Sequence, residues 1–405
     1  MPQHRRSLDA AGRPLTGAPD PTDTAPAPRD RRIRSLAIAV AASAALILAA
    51  PAIGSARSAL RAAFPGAFSR LIEGGLALAA LAAVGVALAR IRTHRARRYG
   101  LLATALVIAW AYSAATGSAD PAIRAVERVH FVEFGLIAWL FLRVWRDRPD
   151  ASAVVAPALA AFVAGIGDEA FQWFLPARVG ELADVALNGV AIGCGLMAGA
   201  ALTPPADLAG RWSGASIRLV ARLLACTVVA LAGFVHLVHL GHRMDVAGIG
   251  TFESRYAAGI LVELDHQRRE TWRHEPPLVR PPRFSREDQY MTEGHQHVQA
   301  RNEAWQRGDA LTAWRENAIL ERLFDSVLDT PSYLSRTGHR WSPAQRADAE
   351  RRVAGRDADA FTSRAFPYPI YQWPPWALWL PALGIAALLW LVGELAAARD
   401  RPGVD

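Results

Sequence analysis

The run Leu36–Ile53, LAIAVAASAALILAAPAI, contains 18 residues and no charged side chain. A helix of about 20 apolar residues spans the ~30 Å hydrocarbon core of a bilayer. This run therefore predicts a membrane-spanning helix, and seven further apolar runs follow it along the chain. They cover residues 71–88, 101–115, 129–144, 151–166, 182–202, 219–240 and 376–397. We predict an all-α, polytopic membrane protein with about eight transmembrane helices.

The third, fourth and fifth runs are the weakest of the eight, because they are short or carry polar residues. For each of them the alternative is an apolar helix in a soluble core, and the company of the other runs favours a membrane span. For the first run the alternative is a signal peptide, since Ile53-Gly54-Ser55-Ala56 resembles a cleavage region. Some 35 residues would then precede the apolar part, which is too long for a typical signal. We favour a retained helix.

Composition indicates a mixture of apolar and polar parts. The 405 residues are 52% hydrophobic, yet mean hydropathy is only +0.12. An apolar fraction this high excludes a disordered chain, and two cysteines exclude a disulfide-stapled scaffold.

Arginine placement predicts the orientation, because short cytoplasmic loops retain positive charge. With the amino end inside, the inner segments hold 20 arginines and the short outer loops hold six. The sequence thus predicts a multi-pass protein of the cell membrane, in contact with the lipid bilayer, with both termini cytoplasmic.

One long polar stretch separates the last two predicted spans and falls outside the cytoplasm in this topology. It holds 19 arginines and 19 acids, so the net charge of +8 arises elsewhere in the chain. The basic residues follow topology, and no nucleic-acid partner is predicted. The predicted divisions are a disordered cytoplasmic tail (1–34), a six-helix transmembrane domain (35–202), a linker with the seventh helix (203–241), a helical extracytoplasmic domain (242–372), the eighth helix (373–397) and a cytoplasmic tail (398–405).

The sequence of the outer domain predicts a helical fold. Residues 298–306 and 310–328 predict a helical hairpin, in which Gly308 ends the first helix and Asp309 caps the second. The sequence from Ser342 to Gln345 is a capping box that starts a helix reaching about Ala354.

Ionisable side chains inside apolar spans are costly and mark candidate functional sites. The fourth span opens with Glu127, His130 and Glu133, which share one helix face because they are three residues apart. The fifth span ends, and the sixth begins, with polar groups of the same kind. Those residues are Asp168, Glu169, Gln172, Arg178, Glu181, Asp184 and Asn188. In the predicted topology all three groups meet at one level, on the outer side.

These motifs resemble the VanZ-like integral membrane family over roughly residues 35–202. The resemblance rests on Glu127-Arg128-x-His130-Phe131, Asp168-Glu169-x-x-Gln172, Pro176-x-Arg178 and Asp184-Val185-x-x-Asn188. The chain departs from the family pattern at Arg128, Ala177 and Ala191, where lysine, glycine and glycine are common. The family is named for a member linked to low-level teicoplanin resistance, and its biochemical activity is not established. The resemblance therefore implies a glycopeptide-resistance-type role without implying a reaction, and it says nothing about residues 203–405.

Two functions fit the polar cluster. It could recognise or process a cell-envelope intermediate such as a lipid-linked precursor, with His130 as acid or base near neutral pH. Asp168 and Glu169 are the other catalytic candidates, and no cofactor is predicted. The candidate binding residues are Glu127, Glu133, Gln172, Arg178, Asp184 and Asn188. Alternatively, the cluster is a structural network of a non-enzymatic scaffold whose outer domain binds an envelope partner.

A metal site is a third, weaker interpretation. His130, Glu133 and Asp168 or Glu169 could hold a divalent ion, but no compact ligand motif supports one and none is predicted.

Two further histidine groups are candidate metal ligands. His236, His239 and His242 spread over about 120° of a helix and are better interpreted as interfacial anchors. His295 and His297 are two apart and would point away from each other.

Overall fold

The structure is a computed structural model that describes residues 28–175, 180–272, 274–275, 285–332, 335–354, 361–366 and 368–400. Its described part is mostly helical. In the apolar part the helices are α1 (Pro28–Ala63), α2 (Phe68–Arg90), α3 (Arg95–Thr116), α4 (Pro121–Glu127), α5 (Val129–Trp145), α6 (Ser152–Trp173), α7 (Leu182–Leu202), α8 (Gly214–Val238) and, after the polar stretch, α14 (Pro375–Arg399). The predicted all-α, polytopic fold is confirmed.

Seven of these helices are long and apolar enough to cross a membrane within the described residues: α1, α2, α3, α6, α7, α8 and α14. The remaining predicted span is α5, whose 17 residues extend about 26 Å. Its start contacts the start of α7, while Arg148, just beyond its end, bonds Ser216 at the start of α8. α5 thus runs from one end of the bundle to the other, in the manner of its longer neighbours.

Helix ends gather at two levels, as alternate crossing requires. At one end of the bundle, Arg98 at the start of α3 donates to the carbonyls of Ala201 and Leu202 at the end of α7. At the same end, Gly214 N at the start of α8 donates to Asp400 after α14. The opposite end holds the starts of α5 and α7 and the end of α6.

Close backbone contact sets the crossing of α5 and α7. A Cβ built on Gly195 would lie 2.4 Å from the Gly135 Cα, so only glycine fits there. Small residues let membrane helices approach closely. This crossing fixes where the start of α5 lies relative to the first turns of α7.

The polar stretch, residues 242–372 and hereafter the polar segment, folds between α8 and α14. Its elements are β1 (His242–Val246), β2 (Gly250–Ser254), α9 (Ala258–Thr271), α10 (Arg286–Gln306), α11 (Ala310–Leu323), α12 (Asp325–Leu328) and α13 (Pro343–Val353). The segment has its own core, in which Phe252, Tyr290 and Phe324 are fully buried. The domain boundaries themselves stay a prediction.

Helix α10 begins at Arg286, twelve residues before the predicted start at Val298, and α9 has no counterpart in the sequence prediction. Several other helix termini of the polar segment lie where the sequence placed them. Gly308 has φ +79 between α10 and α11, and the Asp309 side chain accepts from Thr312 N. Ser342 and Gln345 form the predicted capping box at α13. The predicted helix 310–328 breaks at Phe324, so α11 and α12 are separate.

Two further features differ from the sequence interpretation. A short antiparallel hairpin, β1 with β2, opens the polar segment, with Met244 opposite Phe252. The histidines of the seventh span do not form an interfacial row: α8 ends at Val238, His242 lies in β1, and His239 is 1% exposed with Nδ1 3.0 Å from Pro369 O. The interfacial-anchor interpretation is therefore wrong for His239.

Arg255 joins the polar segment to the bundle. Its guanidinium donates to the His236 and Leu237 carbonyls at the end of α8 and lies 5.6 Å from the centre of the Trp173 ring on α6. Its backbone N–H donates to the buried Glu293 carboxylate. The end of α6, which carries part of the predicted site, is thus in direct contact with the polar segment.

Candidate functional site

A buried hydrogen-bond network links the polar groups of α5, α6 and α7. His130 Nδ1 lies 2.7 Å from Asn188 Oδ1. The Asn188 amide nitrogen lies 3.4 Å from both Gly165 O and Glu169 Oε1. Since that nitrogen faces two acceptors, the amide oxygen faces the imidazole, and His130 Nδ1 is the donor. One residue from each predicted group therefore meets in the network.

A second pair lies one turn further along α6. Gln172 Nε2 donates to Asp168 Oδ2 over 2.7 Å, since a spacing of four puts both side chains on one helix face. Asp168, Glu169 and Gln172 are all at most 5% exposed. Burial of three polar side chains at the end of an apolar helix is affordable only where they are hydrogen-bonded.

Glycines hold the flanking chain close to this end of α6. A Cβ on Gly165 would lie 3.2 Å from the Asn188 Cβ, and one on Gly180 would lie 2.4 Å from Glu169 O. The close approach at Gly180 places Glu181, the residue before α7, beside the polar end of α6.

A cleft of about 340 Å³ opens over the network. His130 and Gln172 reach it from the network, and carboxylates of Glu127, Glu181 and Asp184 complete its polar lining. Apolar side chains of Phe68, Ala122, Ile123 and Val126 line it as well, and so do Arg57, Ser58 and Arg61 of α1.

The carboxylates crowd one another. Desolvation first, and then the charges of Asp184 and Glu127, raise the pKa of Glu181. Glu127 accepts from Ser118 N through Oε2 over 3.0 Å. The same three acids line a smaller adjoining cleft of about 210 Å³, which also includes Tyr112 and Ser113 of α3. A cluster of three carboxyl groups suits a cationic or hydrogen-bond-donating group of a ligand.

Sequence reasoning missed Arg57, Ser58 and Arg61, because it counted the two arginines only as charges of an outer loop. A signal was present. α1 has 36 residues, many more than the ~20 that cross a bilayer, so its last turns extend past the lipid. Arg57 and Arg61 are four apart and share one face there.

Other predicted site residues lie apart from the cleft. Asp168, Glu169 and Asn188 are not among its described lining residues and act on it through Gln172 and His130. Glu133 is half-buried on α5 and also does not line the described part of the cleft. Arg178, with the rest of 176–179, lies outside the described residues.

A metal centre finds no support in the described part of the chain, where no group of three or more His, Cys, Asp or Glu residues is arranged to hold an ion. His295 and His297 diverge: the His295 ring lies against His339, while His297 Nδ1 lies 2.6 Å from Glu316 Oε2. His236 accepts from Trp379 Nε1 over 3.3 Å.

Fold and site together define a polytopic helical membrane protein with a polar cleft at one end of its bundle. Residues 76–202 match the model of the VanZ/LLP1 family, so this part of the chain is VanZ-like. The match covers most of α2 and all of α3 to α7, and α5, α6 and α7 carry the network. No curated protein and no solved structure matches the chain.

Proposed function

We propose that the 340 Å³ cleft, hereafter the recognition cleft, binds the polar head of an amphiphilic cell-envelope intermediate at the outer leaflet. A lipid-linked glycan or peptide is such an intermediate. The observation that carries the proposal is the convergence of polar residues from α5, α6 and α7 on one cleft. Polar and apolar side chains both line it. Such a cleft suits a ligand that has both a hydrogen-bonding head and a hydrocarbon part.

The orientation is part of this proposal. The end of the bundle opposite the cleft collects the starts of α1, α3, α6 and α8, where the arginines are concentrated. Because positive charge is retained in the cytoplasm, that end is inferred to be cytoplasmic. The cleft and the polar segment are then extracytoplasmic.

Each side chain has a separate proposed role. Arg57 and Arg61 supply positive charge for phosphate or carboxylate groups of the ligand. Glu127, Glu181 and Asp184 accept from hydroxyl or amine groups. Arg178 is proposed as a further anion-binding group, on its sequence position alone.

His130 is the group best placed to exchange a proton with the ligand. Its Nδ1–H is held by Asn188 Oδ1, which leaves Nε2 as the basic nitrogen. Asp168 and Glu169 are proposed as positioning residues, since they hold Gln172 and Asn188. A glycopeptide-resistance-type role rests on the family resemblance alone.

The alternative is a structural role, and the burial of Glu169 and Asn188 favours it. Both are fully buried, and their hydrogen bonds tie three helices together. In that case the network stabilises a scaffold, and the polar segment is the part that binds an envelope partner.

Binding by the full chain in lipid nanodiscs separates the two roles, with a polyprenyl-diphosphate-linked sugar peptide as the probe. Arg57→Gln removes a cleft charge. The matched control is Arg70→Gln, an exposed arginine on α2 whose described contact is with Gly66 O. We expect saturable binding that Arg57→Gln weakens at least about tenfold, the value of one charge-assisted hydrogen bond. Abundance and melting temperature should be unchanged.

Absence of saturable binding, or equal effects of Arg57→Gln and Arg70→Gln, would contradict recognition at the cleft. The scaffold role predicts a different pattern: Asn188→Ala lowers abundance and melting temperature, and the probe binds neither variant nor parent.

A further inference from the structure

The amino end of α1 and the carboxyl end of α5 enclose a second cleft, of about 610 Å³, at the other end of the bundle. We propose that this cleft, hereafter the basic cleft, binds the phosphate head group of an anionic phospholipid. It is separated from the proposed recognition cleft by nearly the whole length of α1, about 40 Å. The inference is independent of the proposed function.

Positive charge dominates the lining of the basic cleft. Arg29, Arg31, Arg32 and Arg34 come from α1, and Arg143, Arg146 and Arg148 from the end of α5 and the turn after it. Asp147 is the one acid among the described lining residues. It pairs with Arg146 at 3.3 Å and its side chain is 86% exposed, so it neutralises little inside the cleft.

Arg148 is held in place and is only partly satisfied. Its Nη1 donates to Ser216 Oγ over 2.7 Å, and that hydroxyl donates to the buried Asp150. Burial, followed by the charge of Arg32, lowers the pKa of Arg148. Its buried Nε has no hydrogen-bond partner among the described residues. The guanidinium groups of Arg148 and Arg32 repel each other, and Arg148 Nε is a donor without a described partner. An anionic oxygen would relieve the repulsion and accept the hydrogen bond.

Apolar surface next to the arginines distinguishes a lipid from a free phosphate. Ile38, Val144 and Trp145 also line the cleft. On the outside of α1, Ile33 and Val40 are more than half exposed, which provides a path for acyl chains beside the head-group site. Basic pockets between membrane helices bind anionic head groups in this way.

Retention of positive charge on the cytoplasmic side would by itself concentrate arginines at this end of the bundle. Three arginines outside the basic cleft serve as a control for that explanation. Arg90, Arg92 and Arg95 lie at the turn between α2 and α3, at the same end, and are exposed. None of them lines the described part of the basic cleft. Removing three charges there changes the general surface potential as much as removing three from the cleft.

The test uses the full chain purified in neutral detergent and measures its melting temperature. The added probes are dioctanoyl phosphatidylglycerol, dioctanoyl phosphatidylcholine and glycerol phosphate. Parent protein is compared with a cleft variant, Arg31→Gln/Arg32→Gln/Arg143→Gln, and a control variant, Arg90→Gln/Arg92→Gln/Arg95→Gln. If a triple variant melts early without lipid, the single substitutions Arg31→Gln and Arg95→Gln make the same comparison.

We expect phosphatidylglycerol to raise the melting temperature saturably and phosphatidylcholine not to do so. Glycerol phosphate should need at least about tenfold higher concentration, because it lacks the acyl chains. The cleft variant should bind phosphatidylglycerol at least about tenfold more weakly, and the control variant should change by less than about twofold. Equal weakening of phosphatidylglycerol binding in both variants would show that binding depends only on general surface charge, and it would overturn the proposal. Equal action of the two lipids, or of glycerol phosphate and phosphatidylglycerol, would also overturn the proposal.

Discussion

His130 on α5 and Asn188 on α7 are joined by a 2.7 Å hydrogen bond between Nδ1 and Oδ1, inside a bundle whose other contacts are largely apolar. This bond fixes the imidazole at the floor of the recognition cleft and leaves Nε2 as its basic nitrogen. The amide of Asn188 extends the same network to Glu169 on α6. The position of the proposed proton-exchanging group therefore depends on a residue that does not itself line the described cleft.

Asn188→Ala should destabilise the chain by about 1–3 kcal/mol, because it leaves the buried His130 N–H without its described acceptor. Thermal or denaturant unfolding of the full chain in detergent measures this loss. Gln299→Ala is the control, since Gln299 bonds Glu303 on an exposed face of α10 and should cost less than about 0.5 kcal/mol. Equal stability of the two variants would show that the network is not stabilising.

Gly195→Ala should separate α5 from α7 and destabilise the bundle by about 1–3 kcal/mol. The added Cβ would lie 2.4 Å from Gly135 Cα, which is backbone and cannot rotate away. Gly193→Ala, on the same helix, meets nothing within 4 Å. It should be neutral or stabilising by up to about 1 kcal/mol, since alanine favours helix. Melting temperatures of the pair report the difference, and a Gly195→Ala variant as stable as Gly193→Ala would refute the close crossing.

The polar segment should lose stability as pH falls from about 6.5 towards 3. Burial, followed by the neighbouring charge of His339, lowers the pKa of His295 to about 3, and burial with the charge of Arg301 lowers that of His339 to about 4. Above about pH 4 both histidines are neutral in the folded state. The unfolded chain, whose histidines have a pKa near 6.5, takes up protons first and gains stability relative to the folded state.

Melting temperature measured against pH tests this linkage. His339→Leu should flatten part of the fall between pH 6.5 and 4, whereas His266→Gln, at an exposed position on α9, should leave the profile as it is. A parent profile that is flat over this range would contradict the burial of the two neutral imidazoles.

Arg255→Met should loosen the polar segment without unfolding the bundle. The substitution removes the donors to the end of α8 and a cation close to the buried Glu293. Loss of one partner from a buried charged contact costs about 3–5 kcal/mol. Hydrogen exchange should therefore quicken in β2 and α10 more than in α5 and α7. The exposed Arg243→Met serves as the control, and unchanged exchange in β2 and α10 would show that Arg255 does not couple the two parts.

The membrane helices could be predicted from the sequence because each corresponds to one continuous apolar run. The boundaries of α7, Leu182 to Leu202, match the predicted run. Helix spacing also predicted that Asp168 and Gln172 share a face. Their convergence with His130 and Asn188 followed from counting which span ends lie on one side.

Features that depend on tertiary packing were missed. The hairpin β1–β2 has only one buried side chain in its first strand, Met244, so it lacks the alternation that marks a strand. His239 is buried because Tyr368 and Tyr371, which lie 129 and 132 residues further along the chain, pack against it. Arg57 and Arg61 entered the prediction only as topological charges, because the length of α1 beyond the bilayer is not visible in its apolar run.

Cysteine accessibility in intact cells tests the central claim most directly, namely that the recognition cleft and the polar segment share the outer face. In a chain with Cys194 and Cys226 replaced by alanine, Ser58→Cys places a thiol in the recognition cleft and Arg307→Cys one in the polar segment. Ser35→Cys places a third in the basic cleft. We predict that a membrane-impermeant maleimide labels positions 58 and 307 from outside and position 35 only after permeabilisation. Protection of position 58 or 307 in intact cells, or labelling of position 35 there, would contradict the account.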